Sequence, residues 1–140
     1  MKIALWILQV LLGVYFVFVG VTHFNVPPGL PEAMSWMYEL SSGLHYFSGT
    51  AEILGGLGLV LPGLFKIQTR LTPLAGAGLA LVMLGAIVWH LQRGEVSNTF
   101  INLILAGLAG FIAYGRWRLS PLQDRGKEIP IATQGMVQNR

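Results

Sequence analysis

Four long apolar runs constrain the fold of this chain more than any other feature of its sequence. They predict helices over residues 3–23, 44–62, 72–92 and 98–116, each long enough to cross the hydrocarbon core of a bilayer. The chain has 140 residues, of which 54% are hydrophobic and only 11% are charged. A soluble domain of this size needs far more charge on its surface. The sequence therefore predicts an all-α membrane protein, a four-transmembrane-helix bundle.

Two further segments complete the predicted organisation. Residues 32–40 are amphipathic and too short to span a bilayer, so they predict a short interfacial helix between the first two spans, with Trp36 at headgroup level. A solvent-exposed connector is the alternative. Residues 119–140 are polar and aperiodic, which predicts a cytoplasmic tail after a bundle formed by residues 1–118.

Lysine and arginine are distributed unevenly along the chain. Arg93 lies alone between the third and fourth predicted helices, whereas the others lie near the termini or between the second and third helices: Lys2, Lys66, Arg70, Arg116, Arg118, Arg125, Lys127 and Arg140. The positive-inside rule therefore predicts an inner-membrane protein with both termini in the cytoplasm. Contact with the membrane surface explains the net charge of +3, and we expect no nucleic-acid partner.

Glu52 indicates a functional site more strongly than any other residue. It lies in the middle of the second predicted helix, where a carboxyl group is costly unless protein encloses it. His45 lies two turns earlier on the same face, and we expect His45 or Asn102 to be the partner of Glu52. Glycines beside this face allow neighbouring helices to approach closely: Gly49, Gly55 and Gly56.

The other polar residues of the spans collect near the outer ends of the predicted helices. His23 ends the first helix, on the same face as Gln9 and Phe16, and His90 ends the third. We therefore predict an outward-facing pocket above Glu52. Its candidate ligand-binding or proton-handling residues are Glu52, His45, His23, His90, Asn102 and Asn98.

Each candidate also has a purely structural interpretation. A histidine at a helix end can bond a headgroup or a loop carbonyl. Asn98 can serve as an N-cap, and Asn102 can form a hydrogen bond between helices.

Three ligand classes suit such a pocket. An acid beneath a ring of imidazoles can exchange protons with the carbonyl or hydroxyl of a quinone head group. The same imidazoles of His23, His45 and His90 can instead bind a metal such as Cu or Zn, and two of them can ligate a haem. The histidine spacing forms no local metal motif, and the chain contains no cysteine, which excludes Cys-ligated centres within it. A quinone-like ligand is the leading hypothesis.

Two segments of the chain carry a family resemblance. Residues 18–24 read F-x-G-x-x-H-F, and residues 48–62 read S-G-x-x-E-x-x-G-G-x-G-L-x-L-P, with Glu52 as the acid. Together with the Ala77 to Ala86 pattern of the third helix, they resemble the DoxX and DoxX-like family of small four-helix membrane proteins. The resemblance implies a four-helix bundle and an association with respiratory or quinone-linked redox chemistry. It transfers no catalytic role to the histidines.

Two functions from different classes follow. The first is a redox-linked accessory subunit that binds a quinone-like or other small apolar ligand. The second is a non-catalytic assembly or interaction subunit for a larger membrane or redox partner. Faces of small residues also allow homo-oligomers. The sequence leaves open whether the protein is an enzyme.

Overall fold

Four long helices account for most of the residues, 2–126, that the computed structural model describes. They are α1 (Lys2–Phe24), α2 (Ser42–Phe65), α3 (Leu71–Gln92) and α4 (Val96–Tyr114). A 3₁₀ helix covers Glu32–Tyr38, and a π-helical turn, Gly115–Leu119, extends α4. There is no strand within residues 2–126. The prediction of an all-helical chain with four helices of membrane-spanning length and apolarity is confirmed.

Glycines determine how closely the first two helices approach. A Cβ atom at Gly56 would lie 2.6 Å from the carbonyl oxygen of Gly13, and one at Gly49 would lie 2.8 Å from that of Gly20. No larger residue fits at these contacts unless the helices move apart. The glycines of α1 and α2 therefore form a continuous close seam along both helices.

The other helices join this pair to form the bundle. α3 packs along α4, and α2 joins the two pairs. Apolar residues from all four helices fill the centre: Leu12, Phe16, Leu59, Leu79, Met83, Ala106, Ala109 and Ile112. The outward faces are also apolar, as a surface in contact with lipid requires.

Helix α2 continues past its predicted end at residue 62. Pro62 lacks the N–H group that would bond the carbonyl one turn earlier, but its own carbonyl accepts from the N–H groups of Lys66 and Ile67. One lost backbone bond therefore does not stop the helix. It ends at Phe65, because Lys66 takes the left-handed conformation with φ of 56°.

The segment predicted as an interfacial helix over residues 32–40 is a 3₁₀ helix of seven residues. Met37 is buried, while Glu32 and Ser35 are exposed. The backbone bond from Met34 N–H to Pro31 carbonyl has the three-residue spacing that suits so short a helix.

The predicted polar tail begins as a segment attached to the α2–α3 connection. The Thr69 N–H donates to Asp124 Oδ1 at 2.8 Å, and the Thr69 hydroxyl donates to the Leu122 carbonyl at 3.0 Å. The Arg125 N–H also donates to the Lys66 carbonyl at 2.8 Å. Residues 127–140 of the predicted tail lie outside the described residues.

The bundle has two chemically different ends. The histidine end carries His23, His45 and His90, together with the 3₁₀ helix and the α3–α4 turn. The basic end carries Lys2, Lys66, Arg116 and Arg125.

Candidate functional site

A cavity of about 590 Å³ lies at the histidine end, between all four helices and the 3₁₀ helix. Its volume falls within the range of small-molecule sites. Aromatic and aliphatic side chains form most of its wall. Five of the six predicted site residues also line it: His23, Glu52, His90, Asn98 and Asn102. His45 does not.

Glu52 lies beside His23 rather than beside His45 or Asn102, which corrects the predicted pairing. The Oε2 atom of Glu52 and the Nε2 atom of His23 are 3.6 Å apart, and the two side chains are 6% and 1% exposed. Neither atom has a hydrogen-bond partner among residues 2–126. The close seam explains the pairing, because a Cβ at Gly49 would lie 2.8 Å from the Cβ of His23. The missing side chain at Gly49 brings His23 against α2, one turn from Glu52.

His45 forms a hydrogen bond with the His23 nitrogen that lies away from Glu52. Its Nε2 atom lies 2.9 Å from the Met37 carbonyl, and its Nδ1 atom lies 2.9 Å from His23 Nδ1. A carbonyl only accepts, so His45 Nε2 donates, and the Nδ1 atom of neutral His45 accepts from His23. In neutral His23 the remaining nitrogen, Nε2, therefore presents a lone pair towards Glu52. His45 is thus assigned as the residue that orients His23 and selects its tautomer.

His90 belongs to a separate network around Glu95. Its Nδ1–H donates to Glu95 Oε2 at 2.7 Å, and the Asn98 amide donates to the same oxygen at 3.1 Å. Arg93 Nε donates to the other carboxyl oxygen at 2.8 Å. The hydrogen bond from Arg93 is the largest cause that lowers the pKa of the Glu95 carboxyl, and those from His90 and Asn98 add to it. Glu95 is a residue that the sequence interpretation missed, although it lies only five positions after His90.

The two asparagines have neither of their predicted structural roles. Asn98 lies in the first turn of α4, which begins at Val96, so Glu95 rather than Asn98 takes the N-cap position. The Asn102 amide donates to the Asn98 carbonyl at 2.8 Å, a bond within α4 and not between helices. Both side chains are partly buried at the cavity wall.

Trp36 covers the cavity between its two polar groups. Its ring lies 5.8 Å from that of His23 and 5.2 Å from that of His90, measured between centroids. The connection that carries it is fastened to the α3–α4 turn, since Arg93 pairs with Glu39 and lies over the Trp89 ring at 4.5 Å. The sequence predicted Trp36 at headgroup level. In the structure its ring lines the cavity and lies against the imidazoles of His23 and His90.

The sequence profile of the DoxX-like family matches residues 7–112 of the chain. The chain belongs to the DoxX-like family. Comparison with curated proteins gave no match, and neither did comparison with solved structures. The matched region contains all six predicted site residues. With four apolar helices of spanning length, this DoxX-like chain is a multi-pass integral membrane protein.

The geometry of this DoxX-like protein gives the metal and haem hypotheses no support. Within residues 2–126, no three His, Cys, Asp or Glu side chains are arranged to hold a metal ion. His23 and His45 bond each other, and His90 bonds Glu95. The predicted ligand set His23, His45 and His90 is therefore divided between two hydrogen-bond networks.

Proposed function

We propose that this DoxX-like protein is a redox-linked accessory membrane protein that binds a quinone-like or similar small apolar ligand in the cavity at the histidine end. One observation carries the proposal: Glu52 Oε2 and His23 Nε2 are buried without hydrogen-bond partners in residues that line an apolar cavity. A buried polar group left unpaired costs about 1–3 kcal/mol. A ligand whose head group supplies the missing bonds regains that free energy.

The cavity wall indicates the body of the ligand. Phe16, Trp36, Phe47 and Trp89 line it, so a flat apolar ring gains contact area and stacking partners there.

The polar pair indicates the head group of the ligand. A protonated Glu52 donates a hydrogen bond to a carbonyl oxygen, and the lone pair of His23 Nε2 accepts one from a hydroxyl. A quinone and its quinol supply these two functions in turn. The site thus suits a redox couple whose two forms differ by hydroxyl protons.

Proton exchange is the chemistry that the side chains themselves can supply. The pair has two states, neutral imidazole with carboxylic acid or imidazolium with carboxylate. In both states His23 Nδ1–H donates to His45, so the orientation of the ring does not change when the proton moves. Reduction of the quinone would take two electrons from a redox partner protein together with two protons, and oxidation of the quinol would pass two electrons to that partner.

We propose the same membrane orientation as the sequence predicts, with cytoplasmic termini in the inner membrane and the 3₁₀ helix at the outer interface. The distribution of charge supports it: Lys2, Lys66 and Arg116 lie at the basic end, while Arg93 at the histidine end is paired with two glutamates. Alkaline phosphatase fused after Arg140 should be inactive. Activity of this fusion outside the cytoplasm would contradict the orientation.

The ligand proposal is tested by titrating the purified full chain in detergent with a short-chain ubiquinone analogue and following tryptophan quenching. We expect Glu52→Leu to weaken binding about tenfold, the equivalent of one hydrogen bond to a strongly polar group, because leucine offers no donor to a carbonyl oxygen. Glu32→Leu is the matched control, because it makes the same chemical change at the same end, on an exposed residue outside the cavity wall.

Equal affinities of the Glu52→Leu and Glu32→Leu proteins would refute the role of Glu52. Absence of any quinone binding, together with a stoichiometric partner that co-purifies, would instead support the assembly or interaction subunit. Homo-oligomerisation stays a prediction that the mass of the purified protein checks.

A further inference from the structure

A second cavity, of about 500 Å³, lies at the basic end between the start of α1, the end of α2 and residues 116–126. Lys2, Lys66 and Arg125 are exposed around it, and Arg116 contributes a fourth positive charge. The one acidic residue among its lining residues is Asp124, whose Oδ1 accepts from the Thr69 N–H of the α2–α3 connection. Positive charge therefore dominates the wall.

Arg116 is the buried cation among the lining residues of this cavity and is 3% exposed. Its Nε–H donates to the side-chain oxygen of Gln9, its Nη1–H donates to the Ser120 carbonyl at 3.2 Å, and its guanidinium lies over the Trp6 ring at 5.3 Å. These partners are all neutral. A buried cation without a counterion is costly, so the guanidinium favours an anion nearby.

Two buried donors at this cavity also lack partners. Neither Arg116 Nη2 nor the Ser120 hydroxyl has a hydrogen-bond partner within residues 2–126. Arg116 holds its guanidinium in a fixed plane through the bond to Gln9, and Gln9 is itself held by donation to the Leu59 carbonyl at 2.7 Å. A positioned guanidinium with an unused N–H is a common recognition element for phosphate oxygens.

We propose that the cavity at the basic end binds an anionic phosphate group, carried by a lipid headgroup or free in solution. Arg116 and Ser120, each with a buried donor that lacks a partner within residues 2–126, line the cavity, and the exposed Lys2, Lys66 and Arg125 add positive charge around it. The residues lie where α1 begins and α2 ends, which is the headgroup level of spanning helices. The site shares no residue with the cavity at the histidine end and does not depend on the ligand proposed there.

The test uses the full chain in detergent with two probes, phosphatidylglycerol and inorganic phosphate, and phosphatidylcholine as the zwitterionic comparison. Binding is followed by native mass spectrometry for the lipids and by the shift of the thermal unfolding midpoint for phosphate. The test variant is Lys66→Gln with Arg125→Gln, two exposed changes that spare the buried Arg116. Its control is Arg70→Gln with Arg118→Gln, which removes the same charge at the same end from exposed residues outside the cavity.

We expect the Lys66 and Arg125 double variant to bind its probe about tenfold more weakly, and the control to change by about twofold or less. Saturable binding of phosphatidylglycerol alone assigns the phosphate to a lipid, and a response to inorganic phosphate as well assigns it to a soluble anion. Equal losses in both double variants would show general surface attraction and overturn the proposal. So would equal binding of phosphatidylglycerol and phosphatidylcholine without any effect of phosphate.

Discussion

Two buried polar side chains, Gln9 and Glu52, differ in whether the bundle supplies their hydrogen bonds. At the basic end, Gln9 is completely buried, and both ends of its amide are bonded, to Leu59 and to Arg116. At the histidine end, Glu52 is also buried, but its Oε2 atom lies 3.6 Å from His23 Nε2 and has no hydrogen-bond partner among the described residues. A buried polar group whose hydrogen bonds are all formed within the protein stabilises the fold. One that lacks a partner lowers stability, but it can still form a hydrogen bond to a ligand. The comparison separates polar residues that hold the bundle together from those available to a ligand.

The walls of the two cavities also differ in chemical character. Aromatic and aliphatic side chains surround Glu52, so the histidine end suits an apolar molecule with a small polar head. Lysine and arginine side chains surround the cavity at the basic end, so it suits an anion. One small bundle thus offers two sites with different ligand chemistry.

We expect the largest effect on stability when larger residues replace glycines in the seam between α1 and α2. Gly49→Leu at the histidine end and Gly56→Leu further along α2 should each lower the free energy of unfolding by about 3 kcal/mol or more, because the new side chain meets backbone atoms of α1. The same measurement should find no loss for Gly78→Ala, where a Cβ has nothing within 4 Å. Titration with sodium dodecyl sulfate measures all three.

The two seam glycines, Gly49 and Gly56, should also differ in their effect on ligand binding. Gly49→Ala should weaken quinone binding, because its new methyl group meets His23, while Gly56→Ala should reduce stability with less effect on binding. Equal effects of both variants on binding would show that the seam acts as a unit and would remove the distinction between its ends.

The second prediction compares Gln9 and Glu52 directly. Gln9→Leu removes two buried hydrogen bonds and leaves Arg116 Nε unpaired, which should cost about 1–3 kcal/mol of stability. Glu52→Gln should cost less than about 1 kcal/mol or should stabilise the protein, because it replaces an unpaired acid with a neutral amide. A larger loss of stability from Glu52→Gln than from Gln9→Leu would contradict the assignment of Gln9 as a structural residue and of Glu52 as a residue available to a ligand.

The third prediction concerns acid and the Glu95 network. Hydrogen bonds from Arg93, His90 and Asn98 lower the pKa of Glu95, so its stabilising effect is complete above the ordinary glutamate pKa of about 4.3 and is lost as the pH falls through the lowered folded-state pKa. Acid should therefore loosen the histidine end first. Trp36 and Trp89 report this change in a Trp6→Phe, Trp117→Phe protein.

Introducing Glu95→Gln into that reporter protein should abolish the transition below pH 4.3, since the titrating group is gone. The complementary reporter, with Trp36 and Trp89 replaced by Phe, should show little change over the same range. An acid transition that is identical at both ends would indicate global unfolding instead.

The smallest expected effect comes from the exposed ion pair that joins the 3₁₀ connection to the α3–α4 turn. Glu39→Gln removes one of the two carboxylate partners of Arg93, and the Glu39 and Arg93 side chains are 57% and 32% exposed. The loss of stability should be about 0–1 kcal/mol, measured in the same detergent titration. A loss of stability above 2 kcal/mol would show that this ion pair contributes more than the glycine seam to holding the elements of the histidine end together.

Much of the fold follows from the sequence because lipid imposes a simple rule on the backbone. Hydrocarbon offers no hydrogen-bond partners, so an apolar run of spanning length must form a helix. The predicted helices accordingly agree with α1 to α4 to within three residues at each end. The helix-face argument for α1 also holds, since Gln9, Phe16 and His23 are all buried.

The site was less predictable because pairing between helices depends on depth and rotation. The sequence indicated that His23, Glu52 and His90 share one end, but it expected His45 or Asn102, rather than His23, beside Glu52. It also missed Trp36 and Glu95, which lie in or beside short connections that carry no helical periodicity. Gln9 and Arg116 are separated by 107 positions, and no local pattern links them.

The sequence by itself determined that four helices cross a membrane, which faces are apolar, and that one acid must be enclosed by protein. These properties are local, because each follows from a run of side chains and the solvent that surrounds it. Only the tertiary structure decided which imidazole meets the acid, which asparagine bonds which carbonyl, and which arginine has only neutral partners in the described part of the chain. Those outcomes depend on differences of a few ångströms in how helices approach, and the glycines at Gly49 and Gly56 control that distance.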